Sequence, residues 1–318
     1  LSTRFDKPKP PRKVVIHFTL GALILVGFAA FIQAFIGWSS LLAPWLNLNP
    51  APLVAAIILV FLTYGLRAFR VYDYFRPQIS GQFVLCLHLS LQHNMMNNLL
   101  PMRTGELSFP VLMSRYFTIP AKQSIPTLLW FRLLDLHSLA LLALLMTGHE
   151  IIGLTPTLVI TALWLILPWA GYHLCRSWLN RIENRSGRIW AILQHTLQSF
   201  PQRSSMFWRS WLWTLLNWIL KLAVFAWVLS LFVETSFAAA WLGAIGGDLT
   251  SVLPIHGIAG AGTYEAGVIA GLVPFGISPA EALVAAVNLH LFVLGCTIVS
   301  GLASLILPKK IAEKAATD

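Results

Sequence analysis

The chain has 318 residues, 57% hydrophobic and only 11% charged, against roughly 25% charged in an ordinary soluble domain. That excludes a soluble globular enzyme, and the formal net charge of +10 sits in short basic clusters rather than on a nucleic-acid-binding face. Cys86, Cys175 and Cys296 are scattered in apolar surroundings, which argues against a disulfide framework and against a cysteine metal cluster.

Residues 1–13 form a basic, proline-rich tail. The run Val14 to Gly37 is longer than a signal-peptide core and has no small-residue cleavage site after it, so it reads as a retained first span. A membrane span needs about 20 apolar residues. Further runs of about that size lie before the basic connection at 67–76 and at Ile125–Thr147, Thr157–Leu174, Leu212–Phe232 and Ala280–Leu307. The longest polar connection, Cys175 to Ser210, is too short for a soluble domain.

Arginine and lysine collect at 4–13, 67–76, 176–209 and 309–314, while 38–51, 148–153 and 234–237 contain none. The positive-inside rule makes the first set cytoplasmic and the second external. Both termini, including the tail at 308–318, are then cytoplasmic.

This map imposes a parity condition. Phe83–Phe117 lies between a cytoplasmic connection and the single crossing Ile125–Thr147, so it crosses an even number of times. Its two short halves meet at Leu100-Pro101, which fits a re-entrant helical hairpin over about 83–118. The same parity applies to the glycine-rich segment 238–275, "LGAIGGDLTSVLPIHGIAGAGTYEAG" at its centre. Broken helices at membrane depth occur only inside protein or beside a watery cavity.

Residues 14–147 then read span, span, hairpin, span, and 154–307 repeat the order. Three crossings per half turn the second copy upside down. The expected fold is an all-α polytopic membrane protein with an inverted-topology repeat, six full spans and two re-entrant helical hairpins, and a site between the repeats. Local detail agrees, because Arg132 lies 26 residues after Glu106 and His290 lies 25 after Glu265.

An ionisable group deep in a bilayer costs at least ~2.5 kcal/mol and is usually paired and functional. The candidates are Arg103 and Glu106 in the first hairpin, Arg132 and Asp135 on the next span, Lys221 mid-span with Asn217 one turn away, Asp248, His256 and Glu265 in the second hairpin, and Asn288 and His290 in the last span. Arg132 and Asp135 share a helix face, either as an internal packing pair or with Arg132 facing a cavity and Asp135 holding it. Arg103 either snorkels to the interface or binds substrate beside the proline break. Glu106 and Glu265 are candidate proton or counter-charge carriers. Lys221 is a site cation or an interhelical pin, Asn97 and Asn98 are interhelical glue or substrate contacts, and Asp248 is a cap in a glycine-rich turn.

These residues resemble a known family. "NNLLPMRTGELSFPVLMSRY", "WFRLLDLHSLALL" and "SVLPIHGIAGAGTYEAGVIAGL" are similar to the lysylphosphatidylglycerol synthase transmembrane-region family, flippase-like membrane domains found alone or fused to an aminoacyl transferase. The resemblance covers about residues 14–307 and highlights Asn97, Pro101, Arg103, Gly105, Glu106, Arg132, Asp135, Pro254, Gly260, Gly262 and Glu265. It implies movement of a lipid between leaflets. No soluble transferase domain is expected here, and His290 stands where relatives carry an arginine.

The expected function is therefore transport of an anionic or phosphate-bearing lipid across a bacterial inner membrane, without catalysis or a cofactor. Asn97, Arg103, Glu106, Arg132, Asp135, Lys221, Glu265 and His290 form the expected substrate site, and Pro101, Gly105, Pro254, Gly260 and Gly262 the hairpin breaks. Partners are the lipid, protons as a candidate coupling ion and a second copy in a homo-oligomer, with no nucleic acid. The alternatives are a membrane enzyme acting on a lipid phosphate and a scaffold for envelope-polymer assembly.

Overall fold

The computed structural model describes residues 12–182, 187–250 and 258–307, which form thirteen α-helices and no strand. Helix α1 (Arg12–Phe35) ends at Gly37, whose positive φ of 79° turns the chain by 81° into α2 (Trp38–Asn47). The neutral connection expected at 38–51 is thus largely helical. Asn49 caps α3 (Pro50–Tyr74) by accepting from the Ala51 amide at 3.0 Å. Pro50 opens the helix, where its missing N–H is no loss.

After the short α4 (Arg76–Ile79), α5 (Phe83–Leu99) folds back through a 3-10 turn, Pro101–Leu107, into α6 (Ser108–Phe117). Leu100 is extended, at φ −82° and ψ 138°, as the residue before a proline must be. Gly105 lies against the end of α5, where a Cβ would stand 2.3 Å from the Met96 carbonyl oxygen. Contacts of His88 with Tyr116 and of His93 with Ser108, at 3.1 and 2.9 Å, make α5 and α6 antiparallel.

The chain continues through α7 (Ala121–Ile152), α8 (Leu154–Ile182), the shorter α9 (Arg188–Gln198) and α10 (Ser204–Ser230). A second fold-back pairs α11 (Phe237–Thr250) with α12 (Thr263–Leu272) before α13 (Pro279–Ser304). Glycines let these two backbones touch. A Cβ on Gly246 would sit 2.1 Å from the Gly267 carbonyl oxygen, and one on Gly271 2.5 Å from that of Leu242. Those pairings run in opposite directions, so α11 and α12 are antiparallel.

Among the described residues six stretches are long and apolar enough to cross a membrane: Pro50–Tyr74, Ala121–Ile152, Leu154–Trp178, Ser204–Ser230, Ile258–Phe275 and Pro279–Ser304. The bent α1–α2 pair would make a seventh. The stretch 258–275 is not a single rod, because Ala259, Gly260 and Gly262 have φ of 56°, 77° and 82°. Its regular part is the ten residues of α12, which rise about 15 Å, half of the roughly 30 Å hydrocarbon core.

Helices α3 and α10 run antiparallel. Phe69 and Arg70 near the end of α3 meet Trp213 and Thr214 near the start of α10, while Trp45, just before α3, meets Phe232, just after α10. Helices α5 and α13 are antiparallel as well, from His88 to the Ser304 carbonyl at 2.6 Å and Asn98 to Thr297 at 3.1 Å.

Two apolar clusters result. One holds Ala56, Val60, Leu222, Phe225, Val268 and Leu289, and the other Val71, Phe75, Phe109, Met113, Phe131 and Phe207. Along α3, Arg67 and Arg70 fall between them, as does Asp135 along α7. Gly246→Val should lower the melting temperature in detergent, since overpacking costs about 1–3 kcal/mol and a backbone carbonyl is the obstacle. Gly65→Ala, with nothing within 4 Å of the added Cβ, should leave it unchanged or raise it.

Candidate functional site

The polar residues between the apolar clusters form two linked groups. In the first, Asp135 accepts at Oδ1 from Arg70 Nη1 at 2.6 Å and from Trp218 Nε1 at 3.0 Å, and at Oδ2 from Arg132 Nη1 at 3.1 Å. Arg132 reaches on through Nη2 to Glu106 Oε1 at 2.7 Å, tying α7 to the first fold-back. Arg70 also donates to Thr214 Oγ1 at 2.9 Å and lies 4.5 Å from the centre of the Phe131 ring. Arg67, one turn earlier on α3, donates to Asn94 Oδ1 at 2.7 Å and has no carboxylate partner among the described residues.

In the second group, Lys221 Nζ lies 2.8 Å from Asp248 Oδ1, with the Trp218 and Phe225 ring centres 4.8 and 5.0 Å from the ammonium. Glu265 Oε1 is 2.6 Å from His290 Nδ1, and its Oε2 accepts the Gly262 N–H at 2.7 Å. The Tyr264 ring stacks on His290 at 4.4 Å.

The groups repeat each other. Arg67 and Lys221 each lie 17 residues beyond the first residue of their helix, and each bonds a residue 27 positions further on. The glutamates of the two fold-backs, Glu106 and Glu265, each bond a basic residue on the following long helix, Arg132 and His290.

Both groups border one cavity of about 70 Å³, walled by Arg67, Asn97, Arg132, Lys221, Tyr264 and His290 among others. Buried polar atoms on its wall with no hydrogen-bond partner among the described residues include Asn94 Nδ2, Asn97 Oδ1, Arg132 Nε and the Tyr264 hydroxyl. Buried polar groups are nearly always satisfied, so this wall has hydrogen-bonding capacity that the described residues leave unused.

Of the residues read from sequence, Asn97, Arg132, Lys221 and His290 line the cavity directly, as does Asp135, while Glu106 and Glu265 orient Arg132 and His290. The Arg103 side chain, Pro254 and His256 lie outside the described residues. Gly260 and Gly262 supply left-handed backbone at the second break, and Gly260 lies beneath the His290 ring. Asp248, expected as a turn cap, is an ion-pair partner instead. Asn98 is interhelical glue, bonded to Thr297, and Asn288 is a pin between Trp45 Nε1 and the Leu41 and Val284 carbonyls.

Two site residues escaped the sequence reading. Arg67 and Arg70 sit in the basic run 67–76, which was assigned to a cytoplasmic connection, yet both lie inside α3 and turn into the protein. The shared 27-residue spacing from Arg67 to Asn94 and from Lys221 to Asp248 was the signal that would have separated them.

Long apolar helices packed around an internal charged cavity define a multi-pass membrane protein with a buried polar site. The sequence profile described as the lysylphosphatidylglycerol synthase TM region matches residues 18–301, nearly the whole chain, and the chain belongs to that family. No curated protein matches it.

Removing one partner of a buried ion pair costs about 3–5 kcal/mol, whereas replacing the whole pair by apolar groups is often neutral. Asp135→Ala should therefore sharply lower the yield of folded protein and its melting temperature. The double change Arg70→Met with Asp135→Leu should recover part of the loss, as read by size-exclusion profile and thermal melting.

Proposed function

We propose that this protein moves a phosphate-bearing lipid between the leaflets of a bacterial inner membrane, as a transporter rather than an enzyme. Membership of the family supports a membrane lipid as substrate in general. The observation that carries the reading is the buried cavity on which Arg67, Arg132 and Lys221 converge from three long helices. Guanidinium groups suit phosphate oxygens through their planar fork and hold their charge at any working pH. Arg67 is the first contact in this scheme, because no carboxylate competes for it. The cavity is far too small for a whole lipid, so only the headgroup enters and the tails stay in the bilayer.

In this reading the two halves are inverted repeats, and the fold-backs at about 83–118 and 238–275 are re-entrant hairpins dipping from opposite leaflets. Support comes from the antiparallel course of α3 and α10, the second long helices of their halves, and from the recurrence of the paired residues. The shortness of α6 and α12, ten residues each, supports re-entry over crossing. The basic connections support cytoplasmic termini. Rocking of one half against the other would open the cavity to each leaflet in turn.

The test is movement of fluorescent phosphatidylglycerol in proteoliposomes. Arg67→Ala and Arg132→Ala should each slow it at least tenfold while the melting curve shows folded protein. Leu163→Ala, on the exposed face of α8, should match the wild type. Full activity in both arginine variants would end the headgroup-binding scheme.

A further inference from the structure

The two groups of the site match in position but not in chemistry. In the first, Glu106 is held by an arginine at 2.7 Å, a cation that keeps its proton at any working pH. In the second, the matching partner of Glu265 is an imidazole at 2.6 Å, the side chain whose ordinary charge change falls between about pH 5 and 8. We infer that the His290–Glu265 pair is a proton-binding site that loads and unloads a proton as the cavity takes up and releases an anionic headgroup.

The geometry defines which atom takes the proton. Glu265 Oε2 accepts from the Gly262 amide and Oε1 lies 2.6 Å from His290 Nδ1; in the proposed pair the carboxylate is ionised and accepts at both oxygens. With Glu265 ionised, Nδ1 carries hydrogen in either state and Nε2 is the nitrogen that gains or loses the proton. Nε2 lies on the side of Gly260, where an added Cβ would stand 3.7 Å from it, and the ring borders the cavity. Loading adds one proton to Nε2 and makes an imidazolium; unloading returns that proton to the cavity and leaves the Nδ1–H tautomer.

The surroundings fix what the proton does. Facing the pair are Tyr264 from α12, Lys221 from α10, Asp248 from α11, Tyr64 and Arg67 from α3, and Arg132 with Asp135 from α7. On this wall α5 presents the amides Asn94, Asn97 and Asn98, and α2 packs on α13 through the Trp45–Asn288 bond. Among the described residues the cavity and its bonded partners carry Arg67, Arg70, Arg132 and Lys221 against Glu106, Asp135, Asp248 and Glu265. Among these eight described residues the charges cancel while His290 is neutral, and a proton on Nε2 adds one positive charge beside them. A proton and an anion then favour each other's binding by the same factor, as linkage requires. The Gly262 bond places the effect at the break between the two arms of the second fold-back, where the backbone is already left-handed.

The role in transport rests on the proposed function, but the proton site does not, and the experiment separates them. The first measurement is an NMR titration of the full chain in detergent with ring-labelled histidine, His290 being assigned among the nine histidines by comparison with His290→Gln and His290→Asn. The second is the leaflet distribution of fluorescent phosphatidylglycerol in phosphatidylethanolamine–phosphatidylglycerol proteoliposomes under a one-unit pH gradient. With the measurement run from about pH 5 to 8, where imidazole ordinarily changes charge, the expected results are a His290 ring signal that moves with pH and up to tenfold accumulation of probe for one proton per lipid. His290→Arg, which copies the first half, should lose the accumulation whatever rate of exchange remains. Probe movement in the wild type without accumulation, or accumulation that persists in His290→Arg, overturns the coupling and leaves transport standing. If the wild type moves no probe, the transport reading falls for this lipid, and the proton site is then decided by the titration alone. A His290 signal constant across that pH range overturns it.

Discussion

Three donors from three helices converge on the carboxylate of Asp135: Arg70 of α3, Arg132 of α7 itself and Trp218 of α10. At this depth an uncompensated charge is expensive even on the most lenient scale, at least ~2.5 kcal/mol. The charged residues must therefore neutralise one another, and doing so fixes where the helices sit. Arg132 spans from Asp135 to Glu106 and so binds the tip of the first fold-back to α7. Lys221 holds α11 to α10 through Asp248, and His290 holds the second break to α13 through Glu265.

The two fold-backs reach similar positions by different local chemistry. The first uses Pro101 to set an extended Leu100 and a 3-10 turn, with Gly105 allowing that turn to press on α5. The second uses glycine throughout, both for left-handed backbone at 260 and 262 and for the close approach of α11 and α12. A glycine interface of that kind gives van der Waals packing in lipid, where no hydrophobic drive acts between helices.

Much of this was legible in the sequence for physical reasons. Apolar runs of bilayer length are hard to disguise, and charges inside them stand out because they are costly. The pairs Glu106–Arg132 and Glu265–His290 were signalled by near-equal spacing, and the structure joins both. Arg67 and Arg70 were lost because a basic residue near the end of a span looks the same whether it faces headgroups or turns inward. Only the partner on another helix, Asn94 or Asp135, tells the two apart, and that contact is not local in sequence. Asp248 was misread for the same reason. Its local setting is a turn-like glycine run, while its partner Lys221 lies 27 residues back on α10. The helix α2 was missed because Pro44 and flanking glycine and asparagine look like loop chemistry when the packing of Leu41 is not yet known.

A cavity whose charges already cancel among the described residues poses a question for any anionic guest: what does it gain by entering? Arg67 gives one answer, since its guanidinium has only the Asn94 oxygen to satisfy it among the described residues. Arg132 gives the other, since its Nε has no partner among the described residues while both terminal nitrogens are held by carboxylates. On the transport reading, a phosphate takes the unfilled donors of both arginines, and the internal carboxylates keep the cations in place while the cavity is empty. The guest then adds hydrogen bonds to a network already assembled, so little reorganisation opposes its arrival. Its departure is equally undemanding, because Glu106 and Asp135 remain bound to Arg132 throughout. Tight closure by ion pairs and ready release of an anion are thereby compatible in one site, which is the property that movement between two leaflets requires.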